Sequence, residues 1–185
     1  MTIDGETRVT GLIGDPVAHS RSPAILNTAY REAGLNWIYA AFPVRPGRGG
    51  DAVRGARDLG FAGLTITMPH KAAAAGACDE LTTDAIALGA TNVVTVRADG
   101  RLHGSSTDGE GFLRSVRDED FDPAGTDVLV AGAGGAARAI VLALGGAGAR
   151  VTVGARRRDA AESAAALVPG GHAVLLADVD PGVYA

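Results

Sequence analysis

The sequence has very little cysteine, lysine and aromatic side chain, and it has no long apolar run. Cys78 is the only cysteine, which excludes an internal disulfide framework and a cysteine-rich zinc site and is typical of a reducing cytoplasm. No run reaches the roughly 18 apolar residues of a membrane span, and the polar N-terminus does not resemble a signal peptide. A net charge of −4 argues against a nucleic-acid partner, and the four scattered histidines predict no metal site. We therefore expect a cytoplasmic protein with no membrane and no nucleic-acid partner.

The composition is nevertheless that of a folded protein. Hydrophobic residues make up 46% of the 185 residues and charged residues 21%, which is enough apolar surface for a core. Aromatic residues make up only 4%, whereas glycine is frequent, with 27 copies. Small residues allow close backbone approach, so this composition favours helices packed on a sheet.

Short apolar runs alternate with helix-like stretches, and this spacing predicts an α/β fold. The character of the chain changes near Asp108, which predicts two domains, residues 1–107 and 108–185. Residues 178–185 are expected to begin a loop after the last predicted strand. The predicted strands cover 9–13, 37–44, 64–67, 91–96, 101–103, 126–131, 151–153 and 173–177, and the predicted helices begin at 23, 51, 70, 83, 108, 136 and 159.

A glycine-rich turn follows the strand at 126–131 and precedes a helix. Gly132 permits a tight turn, Gly134 lets the backbone approach a pyrophosphate, and Ala137 allows the helix to pack closely on the strand. Free N–H groups at the start of the helix then face the anion. We therefore predict a Rossmann-type parallel-sheet nucleotide domain, rather than a tight turn without a ligand. Its predicted cofactor contacts are Gly132, Ala133, Gly134, Gly135 and Ala136.

The next strand of this domain predicts which dinucleotide is bound. An NAD site usually has an acidic residue at the end of that strand, but here the chain continues as Arg156-Arg157-Arg158 and the first acid is Asp159. Guanidinium groups suit a 2′-phosphate, and basic charge at a helix start otherwise opposes the helix dipole. We therefore expect NADP (NADPH), with Arg156 and Arg157 as contacts.

Lys71 is the only lysine among 17 basic residues. Either compositional bias left one lysine by chance, or position 71 needs an ammonium, which can lose a proton as a guanidinium cannot. Other polar residues of the first domain lie at predicted element ends: Ser20, Ser22, Thr65, Thr67, Asn92 and Asp108. Taken alone, Ser22 is predicted to be a helix N-cap and Asp108 either a cap or a functional carboxylate.

Four motifs together resemble the shikimate dehydrogenase family, and the resemblance covers about residues 8 to 180. They are GLIGDPVAHSRSP at 11–23, GLTITMPHK at 63–71, GATN at 89–92 and STDG at 106–109, followed by the glycine-rich turn. The resemblance implies NADPH-dependent reversible reduction of 3-dehydroshikimate to shikimate, in aromatic amino-acid and chorismate biosynthesis. Residues 1–107 would then be the substrate-binding domain.

The resemblance also implies a role for each matching residue. Ser20 and Ser22 would bind the substrate carboxylate, and Thr67, Asn92 and Asp108 the ring hydroxyls. Lys71 would be the acid/base group at the reacting carbonyl, and Asp108 would orient it, so the implied catalytic residues are Lys71 and Asp108.

This sequence departs from the family pattern at three positions. Thr65 and Ser106 stand where the family usually has asparagine, and Ala155 replaces the asparagine before the arginine of the second nucleotide-domain strand. The changes at positions 65 and 106 each shorten a hydrogen-bonding side chain. The geometry of the substrate site or the substrate preference can therefore differ from that of the family.

The sequence also stops after the third predicted strand of the nucleotide domain, where family members continue. A truncated chain or a fragment is therefore expected, with an open sheet edge that favours a homodimer or aggregation. Such a chain can be inactive alone. Two alternatives remain open: a dehydrogenase acting on quinate or an aminated analogue with NAD, and a non-catalytic sensor of shikimate-type ligands.

Overall fold

A computed structural model describes residues 3–179, and the chain divides between Ser106 and Thr107 into two compact units. The sequence places this boundary one residue later. Each unit alternates strands and helices around its own buried apolar cluster. The predicted α/β fold is therefore confirmed.

The first unit contains a six-stranded mixed sheet in the order β2-β1-β3-β5-β6-β4. Its strands are β1 (Arg8–Gly14), β2 (Trp37–Pro43), β3 (Gly63–Ile66), β4 (Glu80–Leu81), β5 (Val93–Val96) and β6 (Leu102–Ser105). Its helices are α1 (Ser22–Glu32), α2 (Gly49–Asp58), α3 (Lys71–Ala75) and α4 (Thr83–Leu88).

The strand directions bring four element ends to one edge of this sheet. β1 pairs in parallel with β2 and β3, while β5 is antiparallel to both β3 and β6. The carboxyl ends of β1, β3 and β6 and the amino end of β5 therefore lie at the same edge. We call this edge, with the loops that follow it, the substrate edge.

The two faces of the sheet are covered by different helices. On one face, Leu12, Val17 and Tyr39 form a buried cluster with side chains of α1. On the other, a larger cluster includes Ile13 and Val53, the latter from α2. Alternation along β1 sends Leu12 and Ile13 to opposite faces, which explains why a nearly continuous apolar run forms this strand.

The second unit contains a three-stranded parallel sheet in the order β7-β8-β9. Its elements are α5 (Asp108–Asp118), β7 (Asp127–Ala131), α6 (Gly135–Gly146), β8 (Arg150–Ala155), α7 (Arg158–Ala165) and β9 (His172–Leu175). Val141 and Val153 are both fully buried in its core. With 12 residues, α6 is the longest helix between residues 3 and 179, and no helix in that range is long and apolar enough to cross a membrane.

Some element ends differ from the sequence prediction. The helix predicted for 70–78 ends at Ala75, where the poor helix former Gly76 follows, and the two-residue strand β4 was not predicted. The strand predicted for 173–177 ends at Leu175, and a 3₁₀ turn at Leu176–Asp178 follows it. The remainder of the loop predicted for 178–185 lies outside the described residues from 180 onward.

The packing predicts that replacing a buried leucine of the first unit by alanine destabilises the fold far more than the same change at an exposed leucine. Leu102 is 1% exposed in the core, whereas Leu59 is 78% exposed. Leu102→Ala should lower the free energy of unfolding by about 2–5 kcal/mol, because it removes buried contacts and leaves a cavity. Leu59→Ala should change it by less than about 0.5 kcal/mol. Urea unfolding followed by circular dichroism measures both, and equal losses would contradict the core described here.

Candidate active site

A cavity of about 290 Å³ opens at the substrate edge on the α1 face of the first unit. One of its hydroxyls comes from the loop between β1 and α1, a second from the first residue of α1, and a third from the residue after β3. The lining residues are Leu12, Pro16, Val17, His19, Ser20, Ser22, Thr67 and Met68. Ser20, Ser22 and Thr67, three of the predicted substrate contacts, therefore line one cavity.

The two serines are oriented by the turn that starts α1. The Ser20 amide donates to the carbonyl of Val17 at 3.0 Å, and the Ser20 hydroxyl oxygen accepts from the Ser22 amide at 3.2 Å. Because that oxygen is an acceptor here, its own proton is available to a ligand. The prediction of Ser22 as the N-cap is wrong: Arg21 is the N-cap, without a side-chain cap bond, and Ser22 is the first helical residue. Pro23 tolerates this shift because the first turn needs no amide donor there.

Thr67 lies directly after β3 and is held against the end of β1. Its amide donates to the carbonyl of Ile13 at 2.9 Å. A side chain at Gly14 would collide with the Thr67 methyl group and with Val17, so only glycine permits this close approach. The glycine in the Gly14-Asp15-Pro16 turn thus positions Thr67 at the cavity.

Lys71 is the first residue of α3, and two anchors fix its backbone at the substrate edge. Its carbonyl accepts from the Thr91 amide at 3.1 Å, next to Asn92. The preceding residue, His70, is 1% exposed, and its Nε2 lies 2.8 Å from the carbonyl oxygen of Val44. A buried polar ring with such a partner is a structural anchor. The sequence analysis assigned no role to His70. Its position directly before the only lysine could have indicated that it helps to hold that lysine in place.

Asn92 lies directly before β5 and follows Thr91, whose amide donates to the Lys71 carbonyl. Its carbonyl accepts from the Ile66 amide at 2.7 Å, and its amide donates to the carbonyl of Ser105 at 3.1 Å. These bonds tie the residue between β3 and β6. Within the first unit, Asn92 therefore lies at the same edge of the sheet as Thr67 and Lys71.

Tyr39 is a polar residue near this cavity that the sequence analysis missed. It is 3% exposed, and its phenol is hydrogen-bonded to the hydroxyl of Thr65. Burial raises the pKa of the phenol, and the hydrogen bond with Thr65 partly opposes this rise. A lone tyrosine in the apolar predicted strand 37–44 indicates a polar contact at that position. Its partner depends on the strand register, which the sequence does not give.

Asp108 lies in the second unit, as the first residue of α5. Thr107 is the N-cap and makes no side-chain cap bond. Asp108 and Glu110 place negative charge in the first turn, where it interacts favourably with the helix dipole. This position agrees with the predicted helix start and leaves its catalytic role a prediction.

The second unit contains a cavity of about 730 Å³ at the carboxyl end of its sheet. It is lined by the turn after β7 and by the end of β8: Ala131, Gly132, Ala133, Gly134, Gly154, Ala155, Arg156, Arg157, Ala160 and Leu176. Five of the seven predicted cofactor contacts line it. The other two, Gly135 and Ala136, form the first turn of α6.

The glycines of this turn fit a bound pyrophosphate. Gly132 has a φ of 135°, in the region that favours glycine, and its amide donates to the carbonyl of Gly154 at 2.7 Å. A Cβ at Gly134 would meet no atom within 4 Å. The backbone there faces open space next to the amides that start α6, which lack intrahelical partners.

The charge at the other side of this cavity fits a 2′-phosphate. β8 ends in buried Ala155, with no acidic side chain for a ribose hydroxyl, and Arg156, Arg157 and Arg158 are exposed at the start of α7. Asp159, the first acid, lies 3.5 Å from Arg157. The residues present therefore fit NADP better than NAD.

Neither cavity has the donors of a metal centre. Among residues 3–179, no three side chains of histidine, cysteine, aspartate or glutamate are grouped so that they could bind an ion.

Comparison with known proteins identifies the family of this chain. Residues 12–94 match the family of shikimate dehydrogenase substrate binding domains. The NADP(+) shikimate dehydrogenase of Methanopyrus kandleri is 51% identical over 164 residues, 88% of this chain and 56% of that protein. The chain belongs to the shikimate dehydrogenase family. It spans about half the length of the curated relatives it matches.

Two solved structures are also similar to this chain. One is a shikimate dehydrogenase in complex with NADP+, with a TM-score of 0.92 and 34% identity over 99% of this chain and 66% of its own. The other is the quinate dehydrogenase of Corynebacterium glutamicum in complex with NAD. It has a TM-score of 0.87 and 27% identity over 96% of this chain and 67% of its own. This chain is therefore similar to solved structures whose names differ in substrate and coenzyme.

The only thiol is not suited to nucleophilic chemistry. Cys78 is half-buried, and its Sγ donates to the carbonyl of Ala74 at 3.3 Å. Burial and the neighbouring Asp79 raise the pKa of the Cys78 thiol from about 9 to about 11.

This raised pKa predicts slow reaction of Cys78 with a thiol reagent. Since the thiolate is the reactive form, the thiol of the folded chain should react about a hundredfold more slowly than that of the unfolded chain near pH 8, and faster as the pH rises. Ellman's reagent, with and without urea, measures this. Equal rates would contradict the burial of Cys78.

Proposed function

We propose that the protein carrying this chain is an NADP-dependent shikimate dehydrogenase, which reversibly reduces 3-dehydroshikimate to shikimate in aromatic amino-acid biosynthesis. The observation that carries the proposal is the substrate edge. It combines a cavity with three hydroxyls, Ser20, Ser22 and Thr67, and the backbones of the only lysine and of Asn92. Residues 1–107 then form the substrate domain and residues 108–185 part of the nucleotide domain.

The substrate carboxylate is assigned to the start of α1. Ser20 and Ser22 offer hydroxyl protons there, and the helix dipole favours an anion at this end. The ring hydroxyls are assigned to Thr67 and Asn92 in the first unit and, from its motif, to Asp108 in the second. A threonine hydroxyl and an asparagine amide can each donate and accept, as a polyhydroxylated ring requires.

Lys71 is assigned to the reacting carbonyl. Negative charge develops on the carbonyl oxygen as the carbon is reduced, and an ammonium beside it stabilises that charge and then donates its proton. In the reverse direction the amine takes the proton from the hydroxyl. Asp108 is proposed to orient the ammonium and to bind a neighbouring hydroxyl.

NADPH is assigned to the cavity of the second unit, and it supplies the hydride when bound. The turn from Gly132 to Ala136 holds its pyrophosphate, with amides after Gly132 as the donors, and Arg156 and Arg157 bind its 2′-phosphate. This assignment is supported by the open space at Gly134 and by the absence of an acid at the end of β8.

The similarity to a quinate dehydrogenase that binds NAD supports a second candidate, a dehydrogenase for quinate or an aminated analogue. Titration with NADPH and NADH separates the two, because the arginines predict clear preference for the phosphorylated coenzyme. A non-catalytic sensor would bind shikimate without oxidising NADPH. The homodimer and the cytoplasmic location expected from the sequence stay predictions.

Replacing Lys71 tests the proposed chemistry in the whole protein. Lys71→Ala should reduce kcat about a thousandfold or more, because it removes both the proton donor and the stabilising charge. Lys71→Arg should also reduce kcat strongly, since a guanidinium keeps the charge but cannot donate its proton. NADPH oxidation followed at its absorbance maximum measures turnover, and NADPH binding should be retained in both variants. Near-normal turnover of either variant would refute the role of Lys71.

The cofactor assignment predicts different effects at the two ends of α6. Gly134→Ala introduces a methyl group where the pyrophosphate should lie, and its backbone angles (φ −77°, ψ 179°) suit alanine. It should raise the Kd for NADPH about tenfold or more without loss of folding. The matched control, Gly146→Ala at the other end of the helix, meets no atom within 4 Å and should leave the Kd unchanged. Fluorescence titration with NADPH measures both, and equal affinities would place the coenzyme elsewhere.

A further inference from the structure

His19 lines the cavity of the first unit, and the assignments above give it no role. It is exposed, and it lies in the cavity lining together with Ser20 and Ser22. The Ser20 amide donates to the carbonyl of Val17 at 3.0 Å, so residues 17–20 form a tight turn. This turn fixes the backbone of His19 directly before the first cavity serine.

The ring of His19 is not used to hold the fold together. The other two histidines of the first unit both have partners. His70 Nε2 lies 2.8 Å from the carbonyl oxygen of Val44, and His103 Nδ1 lies 3.0 Å from a guanidinium nitrogen of Arg97. Within residues 3–179, no hydrogen bond or ion pair to the ring of His19 is found. Since an imidazole always carries at least one N–H donor, His19 can donate to a ligand without breaking a bond within the protein.

The cavity has no other source of positive charge in its described lining. Besides His19, the lining consists of three residues with hydroxyl groups and four apolar residues, which are Leu12, Pro16, Val17 and Met68. A carboxylate that loses water against apolar walls needs both hydrogen bonds and an opposite charge. Neutral hydroxyls supply only the hydrogen bonds, whereas an imidazolium supplies both.

We propose that His19 is a third donor to the substrate carboxylate, beside Ser20 and Ser22, and that it makes the site select an acid over a neutral analogue with the same ring. The proposal rests on the proposed function, because that function places a carboxylate at the two serines. Each serine donates one hydroxyl proton, and a ring N–H of His19 donates to a further lone pair of the carboxylate. A protonated ring also brings the charge that the hydroxyls lack.

Binding of shikimate and of its methyl ester to the whole protein, measured by isothermal titration calorimetry, tests the proposal. The ester keeps the ring and its hydroxyls but has no negative charge. His19→Ala should raise the Kd for shikimate about tenfold, as expected for the loss of a hydrogen bond to a charged group, and the Kd for the ester less than about twofold. A general loss of packing would raise both Kd values alike. The φ of His19 is not positive, so alanine should fit the turn.

Three further variants separate the contact from other effects. His19→Gln keeps an N–H donor without a charge, and it should raise the Kd for shikimate only about threefold. The matched control is Arg21→Gln, which removes a full charge from an exposed neighbour that does not line the cavity. It should change the Kd less than about twofold. His172→Ala changes an exposed histidine of the second unit and should leave both affinities unchanged.

The outcomes distinguish this inference from the proposed function. Wild-type protein that does not bind shikimate would overturn the proposed function and the inference with it. Wild-type protein that binds, together with His19→Ala of equal affinity, would overturn only the role of His19, as would equal losses for shikimate and its ester. If His19→Ala does not fold, wild-type affinities of His19→Gln overturn that role instead. A loss in Arg21→Gln as large as that in His19→Ala would reduce the effect to long-range charge and overturn the contact.

Discussion

The parallel pairing of β1 with β2 on one side and β3 on the other determines the geometry of the first unit. It places the loop after β1 and the loop after β3 at the same edge, so Ser20 and Thr67 line one cavity. It also sets Tyr39 and Thr65 on a common face, where their hydroxyls meet. A shift of one residue in either pairing would send Tyr39 or Thr65 to the opposite face. The geometry of this cavity therefore depends on the register of the backbone.

In the second unit, backbone groups of glycine and alanine, rather than side-chain hydroxyls, surround much of the cavity. Around its cavity the glycines contribute amides and open space, and the side chains with charge are the arginines at the start of α7. Arginines at a helix start oppose the helix dipole, so a bound anion there would offset part of their cost in stability. The unit is thus suited to a ligand with several phosphates. Its chemistry complements the hydroxyl-lined cavity of the first unit, where a carboxylate and ring hydroxyls are expected.

Much of this arrangement could be predicted from the sequence. The lone lysine, the glycine-rich turn between a strand and a helix, and the arginine run each have a local physical cause, and the structure places each at an element end. Long-range features could not be predicted in the same way. The bond between Tyr39 and Thr65 depends on the register of two strands separated by a third, and the anchor of His70 depends on the path of the chain at Val44. The predicted N-cap of α1 is wrong by one residue, because an N-cap at Ser22 or at Arg21 is compatible with a proline in the first turn.

The most direct test of the account is a shikimate titration followed by nuclear magnetic resonance on chain labelled with ¹⁵N. The account predicts saturable amide shifts that are largest at Ser20, Ser22, Thr67, Lys71 and Asn92, around the substrate edge of the first sheet. The amides of Gly132 and Gly134 should respond to NADPH. Shikimate shifts centred on the glycine-rich turn, or none that saturate, would contradict the assignment of the first cavity to the substrate.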